Sequence, residues 1–350
     1  MSATNVAENL TGYTLPGGWR VRDKVTRQDG DTGGKFSVNY IVERDGQQAF
    51  CKVLNYAWIM QARVGVDPTG LLQEAVTTYN FERDIARQCS NLPRVVTAID
   101  DGNMNVADFS PGLVSYIIFE MADKDVRRML NETAEVDAPL KLRLLHDLAT
   151  GLRQLHTRGI SHQDVKPSNL LVFGTERRHE SGKIGDLGRV ISSGTPGPYD
   201  ELEYAGDLSY APPEALYHSV LSGFAQCRLA ADIYQLGGMV SFCFSAMPIN
   251  AHLVRELHPF YHWQRWSGTF QEVLPYVADA MGRAIASVED AAPEAIRADV
   301  GQILRQLCEP DPSRRGDATR IGRQDQYSLT RFVTKLDLLE RRARLDVGRA

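Results

Sequence analysis

Asp164 and Asn169 lie five residues apart in I-S-H-Q-D-V-K-P-S-N-L-L-V, with Lys166 between them, and Asp186 follows in K-I-G-D-L-G-R-V. Two carboxylates and an amide oxygen beside a lysine make a hard-oxygen set suited to Mg²⁺, an ion that keeps substrate phosphates in its own shell. Two apolar runs, 170–173 and 183–184, flank the charged turn G-T-E-R-R-H-E-S-G. A hairpin built on these runs brings Asp164, Asn169 and Asp186 to one edge. The chemistry indicated is the handling of phosphates.

The elements that position this set differ along the chain. Residues 21–53 alternate as strands do, broken by the glycines at 30–34 and by the hairpin signal Asp45-Gly46. Glycines let backbone N–H groups approach phosphate oxygens, so the first turn can cover a nucleotide. Lys52, in A-F-C-K-V-L, faces away from its buried neighbours and requires a carboxylate or phosphate partner, unless it is a surface lysine on an edge strand. From Pro68 to about residue 90 a helical period runs through Leu71, Ala75, Tyr79, Ile85 and Ala86. Residues 55–67 form a loop, an extra short helix or a docking element. Two strands are expected at 95–99 and 113–120. An amphipathic helix over 139–159, with Leu142, Leu145, Leu148, Leu152 and Leu155 on one stripe, then delivers the chain to Asp164. Residues after Asp186 lose all periodicity in a Gly/Pro/Ser-rich loop that ends in P-P-E.

These motifs resemble the catalytic core of the eukaryotic-type (Hanks-type) serine/threonine protein kinases. H-Q-D-x-K-P-x-N stands for H-R-D-x-K-P-x-N, D-L-G for D-F-G and P-P-E for A-P-E, with further echoes in D-I-Y-Q-L-G and D-P-S-R-R. The resemblance spans 21–340 and implies an α+β, bilobal fold. Its parts would be a β-rich N-lobe with one long helix over 21–121 and a mainly helical C-lobe over 122–340; outside them, the polar residues 1–20 read as a leader or first loop and 341–350 as a basic tail. It implies ATP and Mg²⁺ as cofactors and a Ser/Thr-containing protein as substrate, since tyrosine-specific relatives usually lack a lysine at Lys166. Asp164 would be the base, Lys166 would steady the phosphoryl group, and Asn169 and Asp186 would hold Mg²⁺. Lys52 would grip the inner phosphates, paired with Glu82 by register or with its rival Glu74. Gly30, Thr32, Gly33 and Gly34 would cover the nucleotide. Glu120, Met121 and Ala122 would meet the adenine edge in front of Phe119, Asp123 or Asp125 would reach the ribose, and Leu171 would complete the nucleotide set. Asp232 would bind N–H groups of the catalytic loop, and Arg315 would pair with Glu214.

Composition sets the remaining expectations. The 350 residues are 43% hydrophobic and 24% charged, an ordinary globular balance, with a net charge of -5 and a pI near 5.9 that argue against nucleic acid and anionic membranes as partners. Cys51, Cys89, Cys227, Cys243 and Cys308 are scattered without C-x-x-C spacing, which fits buried thiols in a reducing cytoplasm. No signal peptide or membrane-length apolar run is visible. An arginine-rich basic set hints at a bacterial genome. The aromatic run at 258–266 reads as C-lobe core or a docking ridge.

Two departures bear on regulation. Gln163 replaces the arginine that pairs with a phosphate on the activation segment in regulated relatives, so activity is expected not to require phosphorylation there. Asp207 stands where a threonine is usual, either favouring basic substrates or pairing with Lys166. A nucleotide-binding pseudokinase scaffold and a kinase of small molecules such as aminoglycosides are the alternatives.

Overall fold

Val38, Tyr40 and Val42 alternate with less buried residues, as do Ala49, Cys51 and Val53, and each set is buried on one face of a strand. The computed structural model describes residues 5–26, 36–62, 67–107, 109, 112–132, 136–174 and 180–347. The chain divides into two compact units, Met1–Ala122 and Asp123–Ala350.

The first unit is an antiparallel sheet of β1 (Arg20–Lys24), β2 (Ser37–Arg44), β3 (Gln47–Leu54), β4 (Ala98–Asn105) and β5 (Leu113–Glu120), in the order β1-β2-β3-β5-β4. Asp45 and Gly46 close the β2–β3 hairpin with φ of 51° and 79°, the left-handed pair that a two-residue turn needs. Helices α1 (Tyr56–Ala62) and α2 (Pro68–Cys89) follow β3, so the described part of 55–67 is a short helix. Asp67 caps α2 by accepting from the Thr69 and Gly70 N–H groups. The strand expected at 95–99 instead runs over β4, whose D-D-G-N-M-N has little strand propensity and is held by its pairing with β5.

Residues 5–20 are not a polar leader. Val6, Ala7, Leu10, Leu15 and Trp19 are buried in one core with Tyr40 and Tyr116. The Tyr40 hydroxyl donates to the Ala7 carbonyl at 2.7 Å, and Trp19 Nε1 donates to Asp100 Oδ2 at 2.9 Å under the Arg44 guanidinium. Their apolar spacing fits neither helix nor strand, which is why composition alone reads them as solvated.

The second unit contains α3 (Val126–Glu132), α4 (Ala138–Thr157), α5 (Pro213–Leu216), α6 (Ala230–Ser245), α7 (Ile249–Glu256), α8 (Phe270–Ala291), α9 (Arg297–Leu307) and α10 (Thr330–Val347). Small sheets join β6 (Lys124–Asp125), β8 (Leu170–Phe173) and β9 (Ser181–Ile184), and pair β7 (Ile160–Ser161) with β10 (Ile191–Ser192). The α4 leucines are buried as the stripe requires, and Asp147 on the same helix accepts from the Gly182 N–H at 2.8 Å. A Cβ at Gly182 would lie 3.2 Å from both Asp147 and Leu170, so glycine lets β9 approach α4 closely. α6 is buried along nearly its whole length.

The aromatic run at 258–266 is not core. Phe260 is 62% exposed, and Tyr261 stacks on half-exposed Tyr276 at 3.9 Å. The basic end of the chain continues α10 to Val347, with Arg341 paired to Asp337 at 2.9 Å and Arg344 to Glu340. Four cysteines are buried and Cys227 is partly so, all as free thiols. Among the described residues no helix is long and apolar enough to cross a membrane.

Candidate active site

In the first unit, β3 lies inside the sheet, paired on one side with β2 and on the other with β5. Lys52 therefore is not an edge residue. Buried Cys51 and Val53 turn it to the opposite face, where its Nζ lies 2.6 Å from Oε1 of Glu82, itself buried on α2. Glu74 is exposed on the same helix. Gly30, Thr32, Gly33 and Gly34 lie outside the described residues. Phe36, beside them in sequence, packs edge-on against Trp58 of α1 at 4.9 Å. Glu120 ends β5, and its Oε1 accepts from the Thr97 N–H at 2.7 Å. Met121 is exposed.

In the second unit the loop after β7 is fixed from below by α6. The Asp232 carboxylate, fully buried, accepts from the His162 and Gln163 N–H groups at 2.8 Å each and lies 2.8 Å from His156 Nε2. Burial alone would raise the Asp232 pKa, but the contacts with His156 and His162 and the Gln163 N–H outweigh it and hold it below the usual carboxylate value. Gln235, one turn along α6, accepts from the Val165 N–H at 3.0 Å and donates to the Gln163 carbonyl at 2.6 Å. Gln163 can therefore be held at φ 66°, a conformation unusual for a residue with a side chain.

This framework presents Asp164. Its Oδ1 accepts from the Asp207 N–H at 2.9 Å, while Oδ2 lies 2.9 Å from Lys166 Nζ and 3.2 Å from Asn169 Nδ2. Asp207 Oδ2 also lies 3.7 Å from Lys166 Nζ, the salt-bridge alternative for this residue. Asp164, Lys166 and Asn169 are all buried.

The hairpin places Asp186 next to this group. β8 and β9 pair Leu170 with Ile184, and the Gly185 N–H donates to the Asn169 carbonyl at 2.8 Å. Asp186 then turns out at φ 57°, exposed. Asn169 donates its amide nitrogen to the Asp164 carbonyl at 2.8 Å, which leaves Oδ1 as the acceptor end. Among the described residues no group of three His, Cys, Asp or Glu side chains could hold a metal. An amide oxygen and one carboxylate suit Mg²⁺ that completes its shell with water and phosphate.

Asp123 accepts from the Gly174 N–H at 2.7 Å, and Asp125 accepts from the Arg128 N–H at 2.9 Å. Leu171 on β8 pairs with Asp125.

The segment beyond Asp186 ends at α5, where Glu214 is gripped by Arg315. Nη1 and Nη2 donate to the two carboxylate oxygens at 2.7 Å each, in a fully buried fork. A family model described as "Protein kinase domain" matches residues 72–327, more than half of the chain. The chain belongs to the protein kinase family. The match begins within α2, beyond Lys52. Similar curated proteins include serine/threonine-protein kinase ssn3 of Aspergillus clavatus, 25% identical over 68% of this chain and 52% of that protein. CBL-interacting protein kinase 26 of Oryza sativa subsp. japonica is 26% identical over 55% of this chain and 33% of its own length. Serine/threonine-protein kinase SBK1 of Danio rerio is 28% identical over 36% of this chain and 32% of its own. The chain thus spans between about a third and about half the length of these relatives.

Sequence reasoning assigned no role to Gln235, although D-I-Y-Q sets it one helical turn from Asp232 and so on the same face. It also passed over Arg228 and Tyr204.

Proposed function

We propose that this chain is an ATP-dependent protein kinase that transfers the γ-phosphoryl group to Ser or Thr hydroxyls. The observation that carries the reading is the Asp164 carboxylate, oriented by the Asp207 N–H, Lys166 and Asn169. In this reading residues 21–121 grip the nucleotide and residues 122–340 bind the protein substrate. Asp164 orients the acceptor hydroxyl and takes its proton. Lys166 steadies the phosphoryl oxygens. Lys52, held by Glu82, neutralises inner phosphate charge. Asn169 and Asp186 would hold Mg²⁺, which when bound neutralises phosphate charge.

Labelled ATP and Mg²⁺ incubated with the purified chain and mixed histones test this, followed by analysis of the labelled amino acids. Phosphoserine and phosphothreonine are expected. Transfer to a small hydroxylated compound but to no protein would shift the reading to small-molecule kinases, and ATP binding without transfer would shift it to a scaffold. In the same assay Lys52→Met is expected to lower kcat/KM by on the order of 10²-fold, and Glu82→Gln by less, because the lysine survives without its fixed geometry. Unchanged kcat/KM in Lys52→Met would remove Lys52 from the site.

The neutral Gln163 supports a further part of the reading, activity without phosphate on the segment after Asp186. Ser192, Ser193 and Thr195 replaced together by Ala are expected to retain activity within about twofold, the size of an ordinary surface change. Abolished transfer would overturn this.

A further inference from the structure

Arg228 lies in a π-helical turn, Ala225–Leu229, immediately before α6. π turns are rare and recur where a fold must place a functional group. Its guanidinium Nη2 donates to the Asp200 and Leu202 carbonyls at 2.9 and 2.8 Å, and Nη1 donates to the Glu203 carbonyl at 3.3 Å. One cation therefore gathers three carbonyls of a single bend in the segment between Asp186 and Glu214.

The inner side of Arg228 meets Gln163, and the exchange is reciprocal. Gln163 Nε2 donates to the Arg228 carbonyl at 3.0 Å, and Gln163 Oε1 lies 3.5 Å from Arg228 Nη1. Ser161 Oγ donates to the same carbonyl at 2.9 Å. An arginine at position 163 has no acceptor to offer and would set a second guanidinium against the first.

A second tie lies further along. Gln235 Nε2 donates to the Tyr204 hydroxyl, which donates to the Asp207 carbonyl at 3.3 Å. Between them, a Cβ on Gly206 would fall 2.0 Å from the Gln163 carbonyl, so the segment crosses the catalytic loop where only glycine fits. The next residue donates its N–H to Asp164 Oδ1 at 2.9 Å.

We propose that Arg228 is a positioning residue that clamps residues 200–207 and, through the Asp207 N–H, orients Asp164 without any phosphate on the segment, with neutral Gln163 as its required counterpart. This rests on the protein-kinase reading above for its consequence in catalysis, though not for the clamp itself. Gln163 and Arg228 then form one device. Charge moved from 228 to 163 is tolerated better than charge at both.

The test uses the full chain with Arg228→Ala, Arg228→Lys, Gln163→Arg and the pair Gln163→Arg/Arg228→Gln. Hydrogen exchange is measured over residues 200–207, and transfer from labelled ATP to mixed histones is measured alongside. Arg228→Ala should speed exchange there about tenfold or more, as loss of charge-assisted bonds from a locally opening segment predicts. It should lower kcat/KM for the protein by about 10- to 100-fold with ATP affinity within about twofold, because only the positioning of Asp164 is disturbed. Arg228→Lys should fall between, since an ammonium cannot reproduce the planar fork. Gln163→Arg should resemble Arg228→Ala, and the paired variant should recover at least about tenfold over Gln163→Arg alone, a coupling beyond additivity.

Unchanged exchange in Arg228→Ala, or additive effects in the pair, would overturn the proposal. Loss of protection throughout α4 and α6 would also overturn it, since that marks a merely structural residue. If the wild-type chain transfers no phosphate while Arg228→Ala still loosens 200–207, the clamp stands and the kinase reading falls.

Discussion

Asp164→Asn is expected to lower phosphoryl transfer by about 10²–10⁴-fold, the usual contribution of a positioned general base. The substitution is nearly isosteric. Its oxygen still accepts the Asp207 N–H, which now contacts Oδ1 at 2.9 Å. What changes is the other end, where Oδ2 faces Lys166 Nζ at 2.9 Å and Asn169 Nδ2 at 3.2 Å. An amide nitrogen there cannot take a proton and meets two donors instead of serving them. Asp207 remains 3.7 Å from Lys166, so the lysine keeps a carboxylate neighbour and the loop keeps its anchor on Asp232. Loss should therefore fall on kcat, with KM for ATP little changed, the pattern of an interaction made chiefly in the transition state. Asp164→Ala is a less clean probe, because it strands the Asp207 N–H and the Asn169 amide in a buried place. A fall of less than about tenfold in Asp164→Asn would take the base role away from this residue, since even weak general-base catalysis exceeds that.

The order of the chemical residues along the chain made much of the candidate site's arrangement readable. Lys52, Asp164, Asn169 and Asp186 each sit beside an apolar run whose period sets their direction, and such local rules survive folding. Glu82 needed more, because Glu74 lies on the same helix and only register separates them; in the structure Glu82 is buried against Lys52 while Glu74 faces out. Residues 5–20 were misread because Trp19 and Leu15 are buried by Tyr40, Arg44 and Asp100, partners that no local pattern reveals. The run at 258–266 failed in the opposite sense. Its rings pack against one another mostly edge-on, and Tyr261 stacks on Tyr276 at the surface, so aromatic content did not translate into burial. Arg228 was invisible for a third reason. Its acceptors are main-chain carbonyls, which every residue type carries, so no spacing of side chains announces them.

Arg315→Met is expected to destabilise the second unit by about 3–5 kcal/mol, the cost of removing one partner from a buried ion pair. Arg315 is fully buried, and besides its fork on Glu214 it donates to the Glu309, Ala230 and Pro310 carbonyls at 2.8, 3.1 and 3.2 Å. Methionine fills much of the volume but leaves the Glu214 carboxylate buried without its cation and three carbonyls without their donor. For a unit of this size the loss corresponds to a fall in Tm of roughly 6–20 °C, read by calorimetry. Two controls isolate this cause, the first from a solvent-exposed ion pair and the second from a packing defect. Added salt should not shrink the difference, because a pair shielded from solvent is barely screened. Glu214→Leu combined with Arg315→Met should be more stable than Arg315→Met alone, since no bare charge is then left inside. If the double variant were no better than the single, the stabilisation would lie in the carbonyl contacts of Arg315 and not in the ion pair. The pair joins the last residues of the segment that carries Asp207 to the loop before α10, so the double variant also tests whether its role is placement. A stable double variant with weakened protein phosphorylation and unchanged ATP affinity would show that the fork sets the end of that segment rather than merely holding the fold together.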